Sequence, residues 1–291
     1  MQKVIVMTDS VACIPANLAE EYQIKVIPAA YILYNGTTYI DGVTLSVQDA
    51  YALIKKDPDK FMTSALTPNY ILDVYRELGE KGHDIFHITL SSALSAGSKT
   101  ASLASEVFKK EYPDSNIRVF DSKAVAGAQG LVVLAAAQAA ARGMELEQIA
   151  DITEQTRQRT KGIMMLDTLR YVYRTGRMSK MASRIASLFN IKPINRLTSE
   201  GTIEFVDKVR DRKSGYQRLI DLIKEDTETD SLYFMIMHAA APEMAEELTG
   251  LLKQQFNCLE VIISEYSPVM GYGSGPGSIF VGYCADPDLF K

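Results

Sequence analysis

Residues 124–141 constrain the fold more than any other stretch of this chain. They form an almost unbroken run of alanine, valine, leucine and glycine between Lys123 and Arg142, interrupted only by Gln129 and Gln138. A helix that is apolar on every side either crosses a membrane or lies with protein packed all round it. Alanine is only weakly hydrophobic and glutamine is costly in a bilayer, so the stretch reads as a buried crossover helix. The chain has the material to surround it, since 291 residues at 47% apolar composition can bury a large core as one big or two medium domains.

The segments before this helix alternate between strand and helix patterns. Residues 4–8 read as a strand ending in Thr8-Asp9-Ser10, residues 84–90 as a buried strand, and residues 116–120 as a strand ending in Asp121-Ser122-Lys123. Behind the second of these, Thr100, Leu103, Ala104, Val107 and Phe108 recur at helical spacing. The loop Ser91-Ser92-Ala93-Leu94-Ser95 therefore leads to a helix N-terminus, where free N–H groups and the helix dipole favour an anion. For this segment alone a plain Ser N-cap serves equally well. Asn35-Gly36 marks a hairpin turn, and Thr67-Pro68 are an N-cap and first-turn pair for the helix carrying Ile71, Leu72, Tyr75 and Leu78. Thr63 and Ser64 are left in the preceding loop with no capping task. Three strands ending in Ser/Thr/Asp clusters, placed in a parallel sheet, line up those polar ends along one edge, where doubly wound folds bind ligands.

The second half is mixed. Residues 145–159 read as a charged amphipathic helix and 163–166 as a short strand, while Met181, Ile185, Leu188 and Phe189 mark a helix by their spacing. Residues 191–194 and 202–206 read as antiparallel strands around a turn at 199–201. Helices at 216–223 and 244–256 alternate with strands at 232–237, 259–263 and 278–283, and residues 271–277 read as a glycine-rich loop. The expected architecture is α/β: residues 1–160 as a mostly parallel sheet flanked by helices, and residues 161–291 as a mixed α/β domain.

Several function classes are disfavoured. A net charge of -5 and a pI of about 5.4, with charges interspersed, provide no basic patch for nucleic acid. Cys13, Cys258 and Cys284 form no CxxC pair and cannot all pair within one chain, which suits a reducing, cytoplasmic setting. With three histidines and no close Cys or His pair, no metal site is expected. Residues 1–7 are too short an apolar run for a signal sequence and read as a first strand. Gly271-Tyr272-Gly273-Ser274-Gly275-Pro276-Gly277 matches neither a dinucleotide fingerprint nor a P-loop, although it can present N–H groups to an anion or simply make a tight connection. There is no G-x-S-x-G around Ser91, Ser92 or Ser95, and His87 alternates into a sheet layer as a core histidine. Asp9 and Asp121 suit a metal, a hydroxyl or a turn cap. Arg170, Arg174, Arg177, Lys180 and Arg184 suit a phosphate, an acidic partner or a solvated face. Met62, Met164, Met165, Met235, Met237 and Met270 suit a flexible apolar ligand or ordinary core gaps.

Taken in order and spacing, the motifs of this chain resemble those of the DegV family of bacterial proteins. The matching parts are Thr8-Asp9-Ser10, Thr63-Ser64 before Thr67-Pro68, Leu90-Ser91-Ser92-Ala93-Leu94-Ser95, Asp121-Ser122, Leu166-Asp167-Thr168-Leu169, Gly176-Arg177, Lys192-Pro193-Ile194 and Gly275-Pro276-Gly277. The resemblance implies a two-domain fold with a long-chain fatty acid held between the domains. It implies a non-catalytic, acyl-presenting subunit of a bacterial fatty acid kinase, serving phospholipid metabolism, with ATP handled by a separate kinase subunit. No cofactor is implied beyond the bound fatty acid, and transient contact with a membrane surface is compatible with the role. By motif position Thr63 and Ser95 correspond to the hydroxyls that hold the carboxylate, with Ser64, Ser92, Tyr272 and Gly273 around them, and Arg210 corresponds to a position linked with kinase engagement.

One position departs from the pattern. Family members often carry a histidine two residues before Gly-Pro-Gly that contributes to the carboxylate network, whereas this chain has Gly273, with Tyr272 or backbone donors left to serve instead. A different class of function, an enzyme acting on a phosphorylated or hydroxylated metabolite through Asp9, Asp121 and the glycine loop, uses the same strand ends, and so would a binder of another amphipathic lipid.

Overall fold

The structure is a computed structural model that describes residues 3–177 and 191–285. The helix expected around Met181, Ile185, Leu188 and Phe189, together with Lys180 and Arg184, lies outside the described residues.

The first half runs β1 (Val4–Asp9), α1 (Ala16–Glu21), β2 (Lys25–Ile27), β3 (Ala30–Tyr34), β4 (Thr37–Ile40), α2 (Val47–Lys56), β5 (Phe61–Ala65), α3 (Pro68–Glu80), β6 (Asp84–Thr89), α4 (Gly97–Glu111), β7 (Ile117–Asp121), α5 (Ala126–Ala141) and α6 (Leu146–Arg159). The second continues through β8 (Thr160–Met165), α7 (Val172–Thr175), β9 (Lys192–Leu197), β10 (Ile203–Val209), α8 (Arg212–Asp226), β11 (Ser231–His238), α9 (Pro242–Gln255), β12 (Asn257–Glu265), α10 (Pro268–Ser274) and β13 (Ile279–Cys284).

Three sheets result. Strands β2-β1-β6-β7 form a parallel sheet, β4-β3-β5 an antiparallel one built on the Asn35-Gly36 hairpin, and β10-β9-β8-β13-β11-β12 a mixed sheet in which only the β11–β12 pair is parallel. The parallel sheet brings the ends of β1, β6 and β7 side by side, as their polar endings led us to expect. Those endings bind one another. Asp9 accepts from the Leu90 and Val11 N–H groups at 2.7 and 3.1 Å, while Asp121 accepts from the N–H and hydroxyl of Ser92 and from the Lys123 N–H.

Helix α5 is buried along all but its last residue and packs against β1 on one side and β8, β11 and β13 on the other. One apolar core consequently runs from Val6, Phe86 and Ile88 through α5 to Met164, Met235 and Phe280. Glycines set the distance between helix and sheet. A Cβ on Gly282 of β13 would lie 2.4 Å from the Gly127 carbonyl carbon, and one on Gly127 would lie 2.3 Å from the Met235 carbonyl oxygen. Inside this core Gln129 donates to the Thr8 hydroxyl at 3.1 Å, which supplies a partner for a polar group that would otherwise be costly to bury.

Two local expectations are corrected. Thr63 and Ser64 belong to strand β5, paired with Ile32 and Tyr31 of β3, and not to a loop. Residues up to Ser274 in the glycine-rich stretch form helix α10, with Ser267 accepting from the Met270 N–H and Pro268 in the first turn. Glycine is a poor helix former, but packing decides here: a Cβ on Gly271 would sit 2.8 Å from the Tyr51 hydroxyl, so only glycine lets α10 lie against α2.

Candidate functional site

A cavity of about 240 Å³ opens where β5, the loop after β6, α7 and α10 converge. Its polar lining residues are Thr63 and Ser64 from β5, Ser95 from the loop before α4, Thr175 and Arg177 at the end of α7, and Tyr272 and Ser274 from α10. Its apolar lining residues include Val11, Leu90, Val125, Met164, Ile203, Val269 and Phe280. Among the lining residues Arg177 carries the one charged side chain, so the cavity combines a largely apolar lining with several hydroxyls and a single cation. That pattern suits an amphipathic anion.

Of the site residues read from the sequence, Thr63, Ser64, Ser95, Tyr272 and Gly273 line this cavity. Strand β5 and the loop after β6 are separated by helix α3 in sequence, and the fold brings them together. The Ser95 hydroxyl accepts from the Gly97 N–H at 3.1 Å in the turn that enters α4, whose N-cap is Ala96, so the expected Ser cap is not formed and Ser95 is a cavity group held by the turn. Accepting from that N–H leaves its own O–H to donate. Tyr272 is stacked on Phe61, with ring centroids 4.8 Å apart, which fixes its position between β5 and α10. A Cβ on Gly273 would meet nothing nearer than Thr175 Cγ2 at 3.8 Å, so the missing side chain there leaves open space in the cavity wall.

Ser92 is not among the lining residues. It is exposed, and its hydroxyl donates to Asp121 at 2.5 Å. Arg210 is exposed, just past the end of β10, and is not among the lining residues. Arg177 is the residue that spacing alone did not single out as a cavity group. It donates from Nε to the Leu94 carbonyl at 3.4 Å and from its guanidinium to the Thr175 carbonyl, which joins α7 to the loop that carries Ser95. The Gly176-Arg177 pair was the available signal. Arg174, from the same basic run, turns instead to Asp59, 3.0 Å away, and over the Tyr171 ring.

His87 is a core histidine, fully buried with its Nδ1 2.6 Å from the Tyr75 hydroxyl; burial pushes it down to about 3, so it stays neutral. Among the described residues no group of three or more His, Cys, Asp or Glu is placed to hold a metal ion. Nor is any described helix long and apolar enough to cross a membrane.

Helix α10, which carries Tyr272 and Gly273, is fastened at its start by a buried carboxylate. Asp41 accepts from the Val269 N–H at 3.1 Å and from the Ser10 hydroxyl, and Ser10 in turn accepts from the Ala29 N–H at 2.9 Å. Burial raises Asp41, and likewise Asp9, from the ordinary carboxylate range to about 6, and the nearby Asp9 charge adds to the rise of Asp41. A carboxyl whose folded-state pKa is raised adds stability below its unfolded value near 4, and that contribution is lost as pH rises through 6. Asp41→Asn, which mimics the protonated form, is therefore expected to be at least as stable as the wild type at pH 7.5 and to lose that advantage at pH 4.5. Urea unfolding of variant and wild type at the two pH values checks this; a stability relative to wild type that is lower at pH 7.5 than at pH 4.5 contradicts the sign.

A family model described as "uncharacterised protein, DegV family" matches residues 3–286. A DegV domain-containing protein of Caldanaerobacter subterraneus is 31% identical over 279 residues, covering 95% of this chain and 96% of that protein. Among solved structures, DegV, a fatty acid binding protein from Bacillus subtilis, is similar at 28% identity and a TM-score of 0.84, covering 98% of this chain and 99% of that one. A Thermotoga maritima protein whose structure reveals a fatty acid binding function is similar at 25% identity and a TM-score of 0.86, over 98% and 99% of the two chains.

Proposed function

The chain belongs to the DegV family, and on that premise we propose that it binds a long-chain fatty acid in the cavity between β5, α7 and α10. The observation that carries this reading is the make-up of the cavity lining: the hydroxyls of Thr63 and Ser95 and the Arg177 guanidinium among apolar residues such as Val11, Val125, Met164 and Phe280. A buried carboxylate without partners is costly, whereas hydroxyl and guanidinium donors compensate it. An acyl chain of sixteen carbons buried at ~0.8 kcal/mol per CH₂ contributes on the order of 10 kcal/mol before ordering costs, so the chain sets affinity and the head group sets position. In this reading the ligand lies between a unit of residues 1–160 and one of residues 161–291.

The protein has no catalysis of its own in this reading. It presents the carboxylate to the ATP-binding subunit of a fatty acid kinase in a cytoplasmic setting, with exposed Arg210 at the partner contact and a carboxylate held without the histidine that Gly273 replaces. The metabolite-enzyme alternative needs Asp9 and Asp121 as ligands, and both carboxylates are taken up by backbone N–H groups at the strand ends. Native mass spectrometry of the purified protein tests the reading. A mass increment equal to a fatty acid, lost on delipidation and restored by added palmitic acid, is expected; protein that carries no acyl chain and takes up none rules it out. Transfer of labelled phosphate from ATP to the bound acyl group only when the kinase subunit is present tests the second half.

A further inference from the structure

Asp41 directly follows β4 and is 1% exposed. Its backbone N–H donates to the Ala30 carbonyl at 3.3 Å. Its carboxylate accepts from the Val269 N–H at 3.1 Å and from the Ser10 hydroxyl, which itself accepts from the Ala29 N–H at 2.9 Å. One residue therefore joins three stretches that are far apart in the chain: the turn after β1, the link from β2 to β3, and the start of α10. Each stretch lines the cavity beside its point of attachment, through Val11, through Ala29 and Ala30, and through Val269 and Met270.

Asp41 itself is not among the lining residues, and the five that it holds are all apolar. The head-group candidates Thr63, Ser95 and Arg177 stand on other elements, namely β5, the loop before α4 and the end of α7. What Asp41 governs is thus the spacing of apolar lining. Spacing matters because dispersion attraction falls steeply with distance: a gap of about 0.5–1 Å already forfeits a quarter to a half of it. A carboxylate suits the task, since its two oxygens hold two donors through charge-assisted bonds. Cutting this joint leaves the turn after β1 fastened to the second half of the chain through Cys13, which accepts from the Ser267 N–H at its Sγ, 3.3 Å away, and from the Ser264 hydroxyl at its carbonyl, 2.7 Å away.

We propose that Asp41 is a positioning residue for the acyl chain, holding Val11, Ala29, Ala30, Val269 and Met270 at the spacing that lets the cavity close on it. The proposal rests on the fatty-acid reading of the cavity and assigns part of its grip on the chain to a residue that the ligand does not touch. Ser10 is the other half of the same joint.

The test is binding of palmitic acid and of hexadecanol to delipidated wild type, Asp41→Ala, Ser10→Ala, the double variant and Asp41→Asn. Asp41→Ala and Ser10→Ala are each expected to weaken binding roughly tenfold, by the same factor for acid and alcohol, because the joint acts on the chain and not on the head group. The double variant is expected to bind no more weakly than either single one, as two halves of one joint do. Asp41→Asn, whose amide can accept from the Val269 N–H and donate to the Ser10 hydroxyl, is expected to keep affinity close to the wild type. Unchanged affinity in Asp41→Ala and Ser10→Ala overturns the proposal and leaves the fatty-acid reading standing. So does a loss confined to the acid, a fully additive double variant, or an Asn variant as weak as the Ala one. If wild type binds neither ligand, the fatty-acid reading itself falls and takes this proposal with it. Ser10→Ala and Asp41→Asn decide the matter even if Asp41→Ala folds poorly.

Discussion

Gly282→Ala is expected to destabilise the protein by about 3 kcal/mol or more, a large share of the stability of an ordinary domain. The added methyl would lie 2.4 Å from the Gly127 carbonyl carbon, 2.5 Å from the Ala128 nitrogen and 2.7 Å from the Gly127 oxygen. All three are backbone atoms of α5, so no side chain can swing aside. Relief requires α5 to lift from β13, and α5 is the element through which the core of the parallel sheet meets that of the mixed sheet. Gly250→Ala is the matched control: it lies in α9 with nothing within 4 Å of the added atom, and there the better helix former is expected to be neutral or to stabilise by up to about 1 kcal/mol. Urea or thermal unfolding of the two variants reads the difference. Equal stabilities would show that the α5–β13 contact is not as close as the glycines indicate.

Removing both hydroxyls, as Thr63→Ala with Ser95→Ala, is expected to weaken fatty acid binding by roughly 10²-fold, since each hydrogen bond to a charged group is worth about 1.5–3 kcal/mol and part of the loss is made good by water and Arg177. Neither change removes a buried apolar contact of the core, although Ser95→Ala gives up the bond from the Gly97 N–H. The informative comparison is a fatty alcohol of the same chain length. In the wild type the acid should bind more tightly than the alcohol, and in the double variant the gap should close. Unchanged affinity for the acid, with unchanged phosphorylation where a kinase subunit is supplied, would move the head group elsewhere in the cavity.

Both results depend on features that were legible to different degrees in the primary structure. The buried helix at residues 124–141, the strands that end in Thr8-Asp9-Ser10 and Asp121-Ser122, the Asn35-Gly36 hairpin and the Thr67-Pro68 helix start all follow from patterns within a few residues of each other. Local chemistry determines them, so spacing and composition were enough. The glycine-rich stretch misled for the opposite reason: propensity argues for a loop at residues 271–277, and contact with Tyr51, which is remote in sequence, makes most of it helix α10. Thr63 and Ser64 had no local task to betray a strand, because their pairing partners are Ile32 and Tyr31 of β3.

The candidate site divides in the same way. Ser95 drew attention as a hydroxyl before a helix, and Thr63 as a hydroxyl with nothing to cap, but neither observation says that they face one cavity. Ser92 has the same local surroundings as Ser95, yet it turns out to Asp121 at the end of β7. Arg177 sat in a basic run whose spacing fitted a solvated helix face equally well, and only its reach to Leu94 and Thr175 puts it on the cavity.

By itself, then, the order of residues determined the α/β class, the parallel arrangement of β1, β6 and β7, and the hydroxyl-rich character of the strand ends, because periodicity, turn chemistry and capping act over short stretches of chain. Which of those hydroxyls share a space, which glycines hold α5 against β13, and which carboxylate joins Ser10 to Val269 were decided only by the tertiary structure, because each depends on contacts between residues far apart in the chain whose distances no local pattern encodes.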